Sequence, residues 1–315
     1  MRSLLPALCL LASVACATPA PPSATPAPDR ASIVAAARGA MNDGDLSAGH
    51  ALVEAHEAAY GRSPQSLLAY SWIARVALNT NRLDDAERIA AEAYTRGESL
   101  LAGRGMDDEP DLPIAIGAAI EVLGQGAAKA GRRSEAVAML NAEMTRFRDT
   151  SLVKRIQKNL HIVSLAGEPA PALSTREWLG EARRTPEELR GTVVVMFFWA
   201  HWCADCKRQG PILEALVARH GTSVQVVAPT QRFGYVAGGV DAPPEVERRY
   251  IDQVLSASYP WLRTVPVPLD EANHVTYGVS TTPTIVIVDR DGRVAAYHPG
   301  VMTLEALEAT ITPLL

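Results

Sequence analysis

The sequence is short of aromatic residues, of cysteine and of positive charge. Of its 315 residues, 5% are aromatic and four are cysteine, and the formal net charge is −5. Four cysteines in a chain of this length do not form the dense disulfide scaffold of small secreted domains. Without a basic excess the chain lacks the electrostatic footprint of a nucleic-acid-binding protein, so we expect no nucleic-acid partner. No segment reaches about 18 uninterrupted apolar residues, which excludes a transmembrane helix.

What the sequence does contain is typical of a globular protein. It is 48% hydrophobic and 21% charged, so wholesale disorder is excluded. The length indicates about two domains. The positions of the four cysteines decide most of the interpretation.

The first 16 residues, MRSLLPALCLLASVAC, have the features of a secretory signal. Arg2 precedes an apolar run that contains Cys9 and is too short to span a bilayer. Two processing alternatives remain open: cleavage after Ala17, or a lipobox in which Cys16 becomes the lipidated N-terminus. The uncharged, proline-rich linker 17–29 favours the lipobox, because it resembles an extended tether. We therefore expect export to the periplasm or cell envelope, with a lipid anchor at Cys16.

Residues 30–165 predict an all-α domain of paired helices. Three stretches, beginning near Asn42, Thr80 and Ala130, each combine a polar turn with an amphipathic helix. A small residue follows each turn at the same offset, which lets adjacent helices approach closely. The pattern resembles degenerate tetratricopeptide repeats with an insertion over 97–113, and a generic helical hairpin domain is the alternative. We interpret Trp72 and Tyr94 as packing residues rather than as the lining of a ligand groove.

Residues 166–315 predict an α/β domain with a mixed sheet flanked by helices. Strands are expected at 192–199, 223–228, 284–288 and 294–297, and helices at 203–220, 243–256, 271–277 and 303–311. The turn 289–292, DRDG, joins the last two strands as a hairpin. The segment 231–244 follows a strand, and it is predicted either to shape substrate access or to be an ordinary surface loop.

The residues able to carry chemistry are Cys203 and Cys206, which directly follow a buried strand and open a helix. Free N–H groups and the dipole at a helix N-terminus stabilise a thiolate. Two intervening residues allow the sulfur atoms to form a small disulfide ring. We therefore expect Cys203 to be the exposed attacking thiolate and Cys206 the resolving thiol, so that a Cys203–Cys206 disulfide serves as the redox centre without a separate cofactor.

The segment 198–206, FWAHWCADC, resembles the signature of thioredoxin-like proteins, and the domain is similar to the TlpA/ResA type of exported bacterial thiol–disulfide oxidoreductases. Supporting matches are EPAP at 168–171, PEELRG at 186–191, Pro211, and YGVSTTPT at 277–284. The resemblance implies a thioredoxin-like fold and an enzyme that acts on protein disulfides. It also implies that Pro283 is a cis-proline facing the dithiol, and that Trp202 and Thr282 contact the substrate.

Several positions depart from the family pattern. Phe197 stands where thioredoxins carry a buried carboxylate, and Gln209 stands where related proteins have a glutamate, so no proton acceptor for Cys206 is evident. Asp205 is expected to raise the pKa of Cys203, and a protonated His201 would oppose it. Since a higher thiol pKa accompanies a more reducing pair, these features favour a reductant, with an oxidant or isomerase as alternatives.

Two other functions compete with the oxidoreductase. His201, Cys203 and Cys206, with His274 or His298, would be a metal site, but the second close ligand pair of a structural zinc site is missing, so no metal is expected. The chain would otherwise be a scaffold that binds a protein partner through its helical domain. The favoured hypothesis is an oxidoreductase whose partners are protein thiols and disulfides and a second redox protein that exchanges electrons with it.

Overall fold

A computed structural model describes residues 30–315 of the chain. The predicted signal 1–16, the lipidation site Cys16 and the linker 17–29 lie outside these residues, so those predictions are not addressed by the structure. Over residues 30–315, no helix has both the length and the apolar character that a membrane span requires.

The first half of the described chain is helical, as the sequence predicts. Between residues 30 and 165 the structure has seven helices: α1 (Arg30–Ala40), α2 (Leu46–Tyr60), α3 (Pro64–Asn79), α4 (Leu83–Leu101), α5 (Asp111–Lys129), α6 (Arg133–Arg146) and α7 (Val153–Ser164). Local signals set several ends. Ser63 and Ser66 form a capping box around Pro64 at the start of α3.

Small residues bring these helices together. A Cβ atom on Gly97 would lie 2.6 Å from Ile116 Cγ1, so α4 and α5 meet at a position where only glycine fits. Ala86 and Ala136, two of the small residues that follow the predicted turns, are buried. The predicted insertion 97–113 stays a prediction, and its first residues continue α4 as far as Leu101, with Gly97 buried. The tetratricopeptide resemblance stays a prediction.

The second half is an α/β domain with the predicted mixed sheet. Its strands are β1 (Trp178–Leu179), β2 (Val193–Phe198), β3 (Val224–Val227), β4 (Val267–Pro268), β5 (Thr284–Val288) and β6 (Val294–Pro299). Its helices are α8 (Ala204–His220), α9 (Pro244–Ser258), α10 (Glu271–Thr276) and α11 (Leu304–Ile311). The main sheet has the order β3-β2-β5-β6, in which β2 pairs parallel with β3 and antiparallel with β5.

Strand β2 lies at the centre of this sheet and is buried on both faces. Val195 and Phe197 belong to the core shared with helices α8, α9 and α11, whereas Met196 and Phe198 face the opposite core beside Tyr277. Because alternate side chains of a strand point to opposite faces, an apolar residue is needed at every position. The carboxyl end of this rigid strand leads directly to the dithiol.

The two halves meet along helix α7 and the segment 274–278. The His161 imidazole Nδ1 lies 2.9 Å from the Tyr277 carbonyl oxygen, and Gln157 Nε2 donates to the Thr276 carbonyl at 3.2 Å. A Cβ atom on Gly278 would lie 2.8 Å from the backbone nitrogen of Lys158. The backbones of the two halves are therefore in close contact just before the predicted cis-proline loop.

Candidate functional site

The dithiol lies where β2 ends and α8 begins. Cys203 is the N-cap of α8, with φ −77° and ψ 114°, and its Sγ accepts a hydrogen bond from the Cys206 backbone N–H at 3.1 Å. The sulfur thus occupies the position that a serine or aspartate oxygen takes in an ordinary N-cap. A free N–H group of the first turn therefore points at this sulfur, as the strand-to-helix setting predicts.

Hydrogen bonding makes Cys203 the more acidic thiol. The Cys206 side chain has the largest effect, and together with the Thr282 side chain and the Cys206 backbone it lowers the pKa of Cys203 to about 6. Burial and the Asp205 charge act in the opposite direction but do not prevail. At neutral pH Cys203 is therefore mainly a thiolate, the form that attacks disulfides.

The expected direction of the Asp205 effect on Cys203 is correct, but the effect is too small to set the net shift of the Cys203 pKa. The Asp205 charge does act to raise the pKa of Cys203, but this is the weakest of the five contributions. The Arg208 guanidinium lies 2.5 Å from Asp205 Oδ1 in an exposed ion pair. The net pKa shift is downward, so Asp205 carries no argument for a reductant.

His201 does not supply the opposing positive charge that the sequence allowed. Burial lowers the pKa of His201, so the imidazole is neutral at pH 7. The ring is 2% exposed and lies between 5.4 and 5.6 Å, centroid to centroid, from the rings of Phe233, Tyr235 and Tyr250. The residue is part of an aromatic wall beside the dithiol.

The prediction that Cys203 is exposed is also wrong. Its side chain is only 4% exposed, because the sulfur is held between the first turn of α8 and the Thr282 carbonyl oxygen, 3.3 Å away. Trp202, by contrast, is 51% exposed at the rim of the site. Little of the Cys203 side chain is therefore accessible to a substrate sulfur.

Cys206 is fully buried, and this burial, reinforced by the hydrogen bond to Cys203, raises its pKa far above that of a free thiol. The two sulfurs therefore differ in protonation at neutral pH. One is poised as a nucleophile and the other is held as a thiol. Such a division is what a sequential exchange between an attacking and a resolving thiol requires.

The loop containing Pro283 faces the dithiol. The Thr282–Pro283 peptide bond is cis, as the family resemblance implied. The loop is held at both ends, since the Pro283 carbonyl accepts from Gly300 N at 2.7 Å and Thr284 Oγ1 donates to the Thr281 carbonyl at 2.7 Å. Cys203, Cys206, Trp202, Thr282 and Pro283 are thus brought together.

Glu247 is a residue at this site that the sequence analysis missed. It is 1% exposed on α9 and accepts hydrogen bonds from the backbone N–H groups of Phe233 and Gly234, at 2.5 and 2.9 Å. Phe233 in turn packs 5.6 Å from the indole ring of Trp202. The start of the segment 231–244 is therefore anchored to α9 and packs beside the dithiol, as the substrate-access alternative requires, whereas 237–241 is exposed. An acidic residue in the first turn of a helix was the available signal, but only the fold brings it under this loop.

The glutamine three residues after the second cysteine has a structural explanation. Gln209 is fully buried, donates through Nε2 to the Met302 carbonyl at 3.2 Å and accepts from Met302 N–H at 2.7 Å. Both ends of the amide are thus occupied in joining α8 to the segment before α11. Gln209 is not a proton acceptor for Cys206.

The metal alternative finds no donor set in the described part of the chain. Over residues 30–315, no three or more His, Cys, Asp or Glu side chains are grouped so that they could hold a metal ion. His274 is 1% exposed and packs against Phe198 and Phe233, whereas His298 is exposed on β6. These two histidines have separate surroundings and do not complete a site with the cysteines.

Comparisons with known proteins agree with this geometry. Residues 191–294 match a family model described as thioredoxin-like. The thioredoxin-like protein YneN of Bacillus subtilis is 27% identical over 143 residues, which cover 45% of this chain and 76% of that protein. The thiol:disulfide interchange protein HelX of Rhodobacter capsulatus is 28% identical over 157 residues, 48% of this chain and 78% of that protein.

A thiol-disulfide oxidoreductase ResA, from Halalkalibacterium halodurans, is 25% identical over 145 residues, which cover 45% of this chain and 73% of that protein. A solved structure described as a thiol:disulfide interchange protein DsbE of Chlorobium tepidum is 26% identical, with a TM-score of 0.36. The match covers 47% of this chain and 96% of the chain in that structure. The thioredoxin-like fold of the second half and the prediction of a thiol–disulfide oxidoreductase are confirmed by the sequence relatives.

Proposed function

We propose that the chain is an exported thiol–disulfide oxidoreductase that acts on protein disulfides through Cys203 and Cys206. The observation that carries this proposal is the asymmetry of the pair. Cys203 caps a helix beside the cis-proline loop with its pKa lowered to about 6, and Cys206 is a fully buried thiol with its pKa raised. This is the arrangement that disulfide exchange requires.

The exchange proceeds in two displacements. The Cys203 thiolate attacks one sulfur of a substrate disulfide, a Cys203–substrate bond forms, and the other substrate sulfur leaves as a thiolate. Cys206 then attacks Cys203 Sγ, so that a Cys203–Cys206 disulfide forms and the second substrate sulfur is released. Two electrons pass from the dithiol to the substrate, and the proton of Cys206 leaves with them. A redox partner protein must return two electrons to complete the cycle.

The first displacement prepares the second. Burial is the main cause of the raised pKa of Cys206, and the negative charge and hydrogen bond of Cys203 raise it further. Once Cys203 is bound to the substrate, its sulfur carries no charge and accepts hydrogen bonds weakly. Two of the causes that keep Cys206 protonated are then removed, so Cys206 becomes a better nucleophile only after the mixed disulfide has formed.

We propose that the dithiol acts as a reductant, and the ground for this is the pKa of Cys203 rather than the charge of Asp205. The value of about 6 is closer to that of thioredoxin, about 7, than to that of a strongly oxidising periplasmic dithiol, about 3.5. A less acidic attacking thiol accompanies a more reducing pair. A reduction potential near −270 mV would support this direction, and one near −120 mV would contradict it.

The cellular setting rests on the sequence pattern of residues 1–29. The basic start, the short apolar run and the lipobox-like end at Cys16 support export and lipid anchoring to a membrane, in the periplasm or cell envelope. Metabolic labelling with a radioactive fatty acid tests the anchor. Label that persists in Cys16→Ser would contradict lipidation at this residue.

The activity is tested with insulin as a disulfide substrate. The full chain, pre-reduced, is expected to reduce insulin, and Cys203→Ser to lose activity by about 10³-fold or more because the nucleophile is absent. Cys206→Ser should instead accumulate a mixed disulfide, visible as an added mass. If Cys203→Ser reduces insulin as fast as the unaltered chain, the oxidoreductase proposal is wrong, and the helical scaffold alternative is favoured.

A further inference from the structure

A cavity of about 560 Å³ lies between the helical half and the loop that leads to the cis-proline. Helices α3, α5 and α7 form its floor, and Thr281 closes it on the side of the dithiol. The cavity therefore joins the two halves of the molecule beside the site of exchange. Its charged and aromatic lining comes from Trp72, Arg75, Glu121, Arg155 and Lys158.

The lining carries more positive than negative charge. Glu121 is the shared carboxylate: Arg155 Nη2 lies 3.3 Å and Lys158 Nζ 3.2 Å from its Oε2, and Arg75 Nη2 lies 3.8 Å from its Oε1. These four side chains are between 12% and 18% exposed. Three cations thus share one anion in a largely buried setting, where an unpaired charge is costly.

Arg75 is the least satisfied of the three cations. Among the described residues its Nε atom is buried without a hydrogen-bond partner, and its only carboxylate contact is the long one to Glu121. Its guanidinium instead lies over the Trp72 ring, 4.8 Å from the centroid. A second anion entering the cavity would give this group the partner that its own domain does not supply.

Trp72 extends the cavity into a groove. It also lines a neighbouring cavity of about 470 Å³ with Arg38, whose guanidinium lies 4.2 Å from the Trp72 ring centroid. The interpretation of Trp72 as a packing residue is therefore incomplete, because the half-buried indole contacts two arginines and lines both cavities. We call the two cavities together the basic groove. Its two parts, of about 560 and 470 Å³, share Trp72 and Asn79 and offer far more space than a single small ion fills, so a polypeptide segment suits them better.

The basic groove begins within one residue of the exchange site. Thr281 lines it, and the carbonyl oxygen of the adjacent Thr282 is 3.3 Å from Cys203 Sγ. An extended chain advances about 3.3 Å per residue, so side chains roughly two to four residues from the substrate cysteine would reach the groove. A bound substrate would place its cysteine at Cys203 and its neighbouring residues against the helical half.

We propose that the basic groove binds an acidic segment of the protein substrate, next to the cysteine that Cys203 attacks. The inference rests on the proposed function and adds a substrate class to it: disulfide-bonded polypeptides with Asp or Glu close to the reacting cysteine. Arg75, Arg155 and Lys158 are then specificity-determining residues, and the helical half is a substrate-recognition domain.

Paired peptide substrates test this inference. One peptide has an intramolecular disulfide with glutamates placed about three residues to either side of one cysteine, and its twin has glutamines there. The reduced full chain is expected to prefer the acidic peptide by about tenfold in kcat/KM, a preference that rising salt weakens. In Arg155→Gln and Lys158→Gln the ratio of the two kcat/KM values should fall to about one to three.

The matched control is Arg88→Gln, which removes an exposed arginine of α4 that pairs with Asp85 away from the groove. It should retain the full preference. Because the readout is a ratio, a variant that merely loses folded protein loses rate with both peptides and leaves the ratio unchanged. An unaltered chain that reduces both peptides equally well, or variants that retain its preference, would overturn the inference alone. If neither peptide is reduced, the proposed function is wrong and the inference fails with it.

Discussion

The two halves of the molecule bury polar groups in different ways. The helical half contains ion pairs between largely buried side chains. Arg96 Nη1 lies 3.2 Å from Glu57 Oε2, and Arg155 Nη2 lies 3.3 Å from Glu121 Oε2. At the dithiol of the α/β half three buried groups are neutral at pH 7, and Cys203 and Glu247 are held by backbone hydrogen bonds rather than by ion pairs. His201, Gln209 and Cys206 are held there by packing and hydrogen bonds.

This difference separates chemistry from recognition. Hydrogen bonds and burial tune Cys203, and such effects depend little on salt because the site excludes solvent ions. Charges on the helical half attract or repel a substrate over a longer distance, and this attraction weakens as salt rises. Variants of residues that contact the thiols should therefore change thiol reactivity, and variants of the helical half should change which substrates are preferred.

The largest effect is expected where the halves touch. In Gly278→Ala the new methyl group would lie 2.8 Å from Lys158 N, at a backbone φ of 57°. Overpacking and the left-handed conformation together should lower the free energy of unfolding by about 2–5 kcal/mol. Urea denaturation measures the loss. Gly131→Ala is the control, because Gly131 has a φ of 81° but open space around it. It introduces only the left-handed backbone strain, so its free energy of unfolding should fall by about 1–2 kcal/mol. Equal losses of unfolding free energy in the two variants would show that the contact between Gly278 and helix α7 is not tightly packed.

The next largest effect concerns the acidity of Cys203. A pKa of about 6 means that thiolate is fully present above pH 7 and is lost as the pH falls through 6. At pH 7 alkylation by iodoacetamide should be roughly 30- to 100-fold faster than for a thiol of ordinary pKa, equal to about 2–3 kcal/mol. Mass spectrometry of the reduced chain across pH 4–9 measures the rate at each cysteine. A midpoint above pH 8 would contradict the tuning described for this half.

A smaller effect is expected from Glu247, which positions the segment 231–244 without touching the sulfurs. In Glu247→Gln the single amide oxygen can accept only one of the two backbone hydrogen bonds well, a loss of about 1–2 kcal/mol in anchoring Phe233. We expect KM for insulin to rise several-fold while the alkylation midpoint of Cys203 stays in place. Glu245→Gln, an exposed position on the same helix, is the control and should leave KM unaltered. A shifted midpoint would mean that Glu247 acts on the thiol itself.

The smallest effect is expected from Asp205. Because it opposes thiolate formation only weakly and is paired with Arg208, Asp205→Asn should lower the Cys203 pKa by less than about one unit, or about 1 kcal/mol. The same alkylation profile measures the change. A drop of two units or more would show that charge, rather than hydrogen bonding, dominates the tuning of this half.

Much of the fold could be predicted from the order of residues. Strand β2 and helix α8 follow from a continuous apolar run and an amphipathic pattern that meet at 203–206. The extent of α4 could not be predicted, because Gly97 signals a break unless Ile116 packs against it. Glycine in a helix interior is tolerated where a neighbouring helix fills the space, and that neighbour is distant in the chain.

Some features of the candidate site could likewise be predicted from the sequence, and others could not. Cys203, Cys206 and Pro283 are identifiable because their spacing and flanking pattern are specific. The direction of the Cys203 pKa shift could not be predicted in the same way. The Asp205 charge is close in sequence, whereas the stronger effect of the Thr282 side chain comes from a loop nearly 80 residues away. Glu247 escaped notice for the same reason, since its partners Phe233 and Gly234 meet it only through the folded backbone.

The sequence by itself determined the chemistry: two thiols at the start of a helix, after a strand too apolar to lie anywhere but in the core. Local pattern suffices there, because an N-cap and its first turn are built from consecutive residues. Only the tertiary structure decided the acidity of those thiols, the anchoring of the loop beside them and the cavity shared with the helical half. Each of these depends on burial and on contacts between distant segments, which set the local dielectric and the hydrogen-bond partners of every ionisable group.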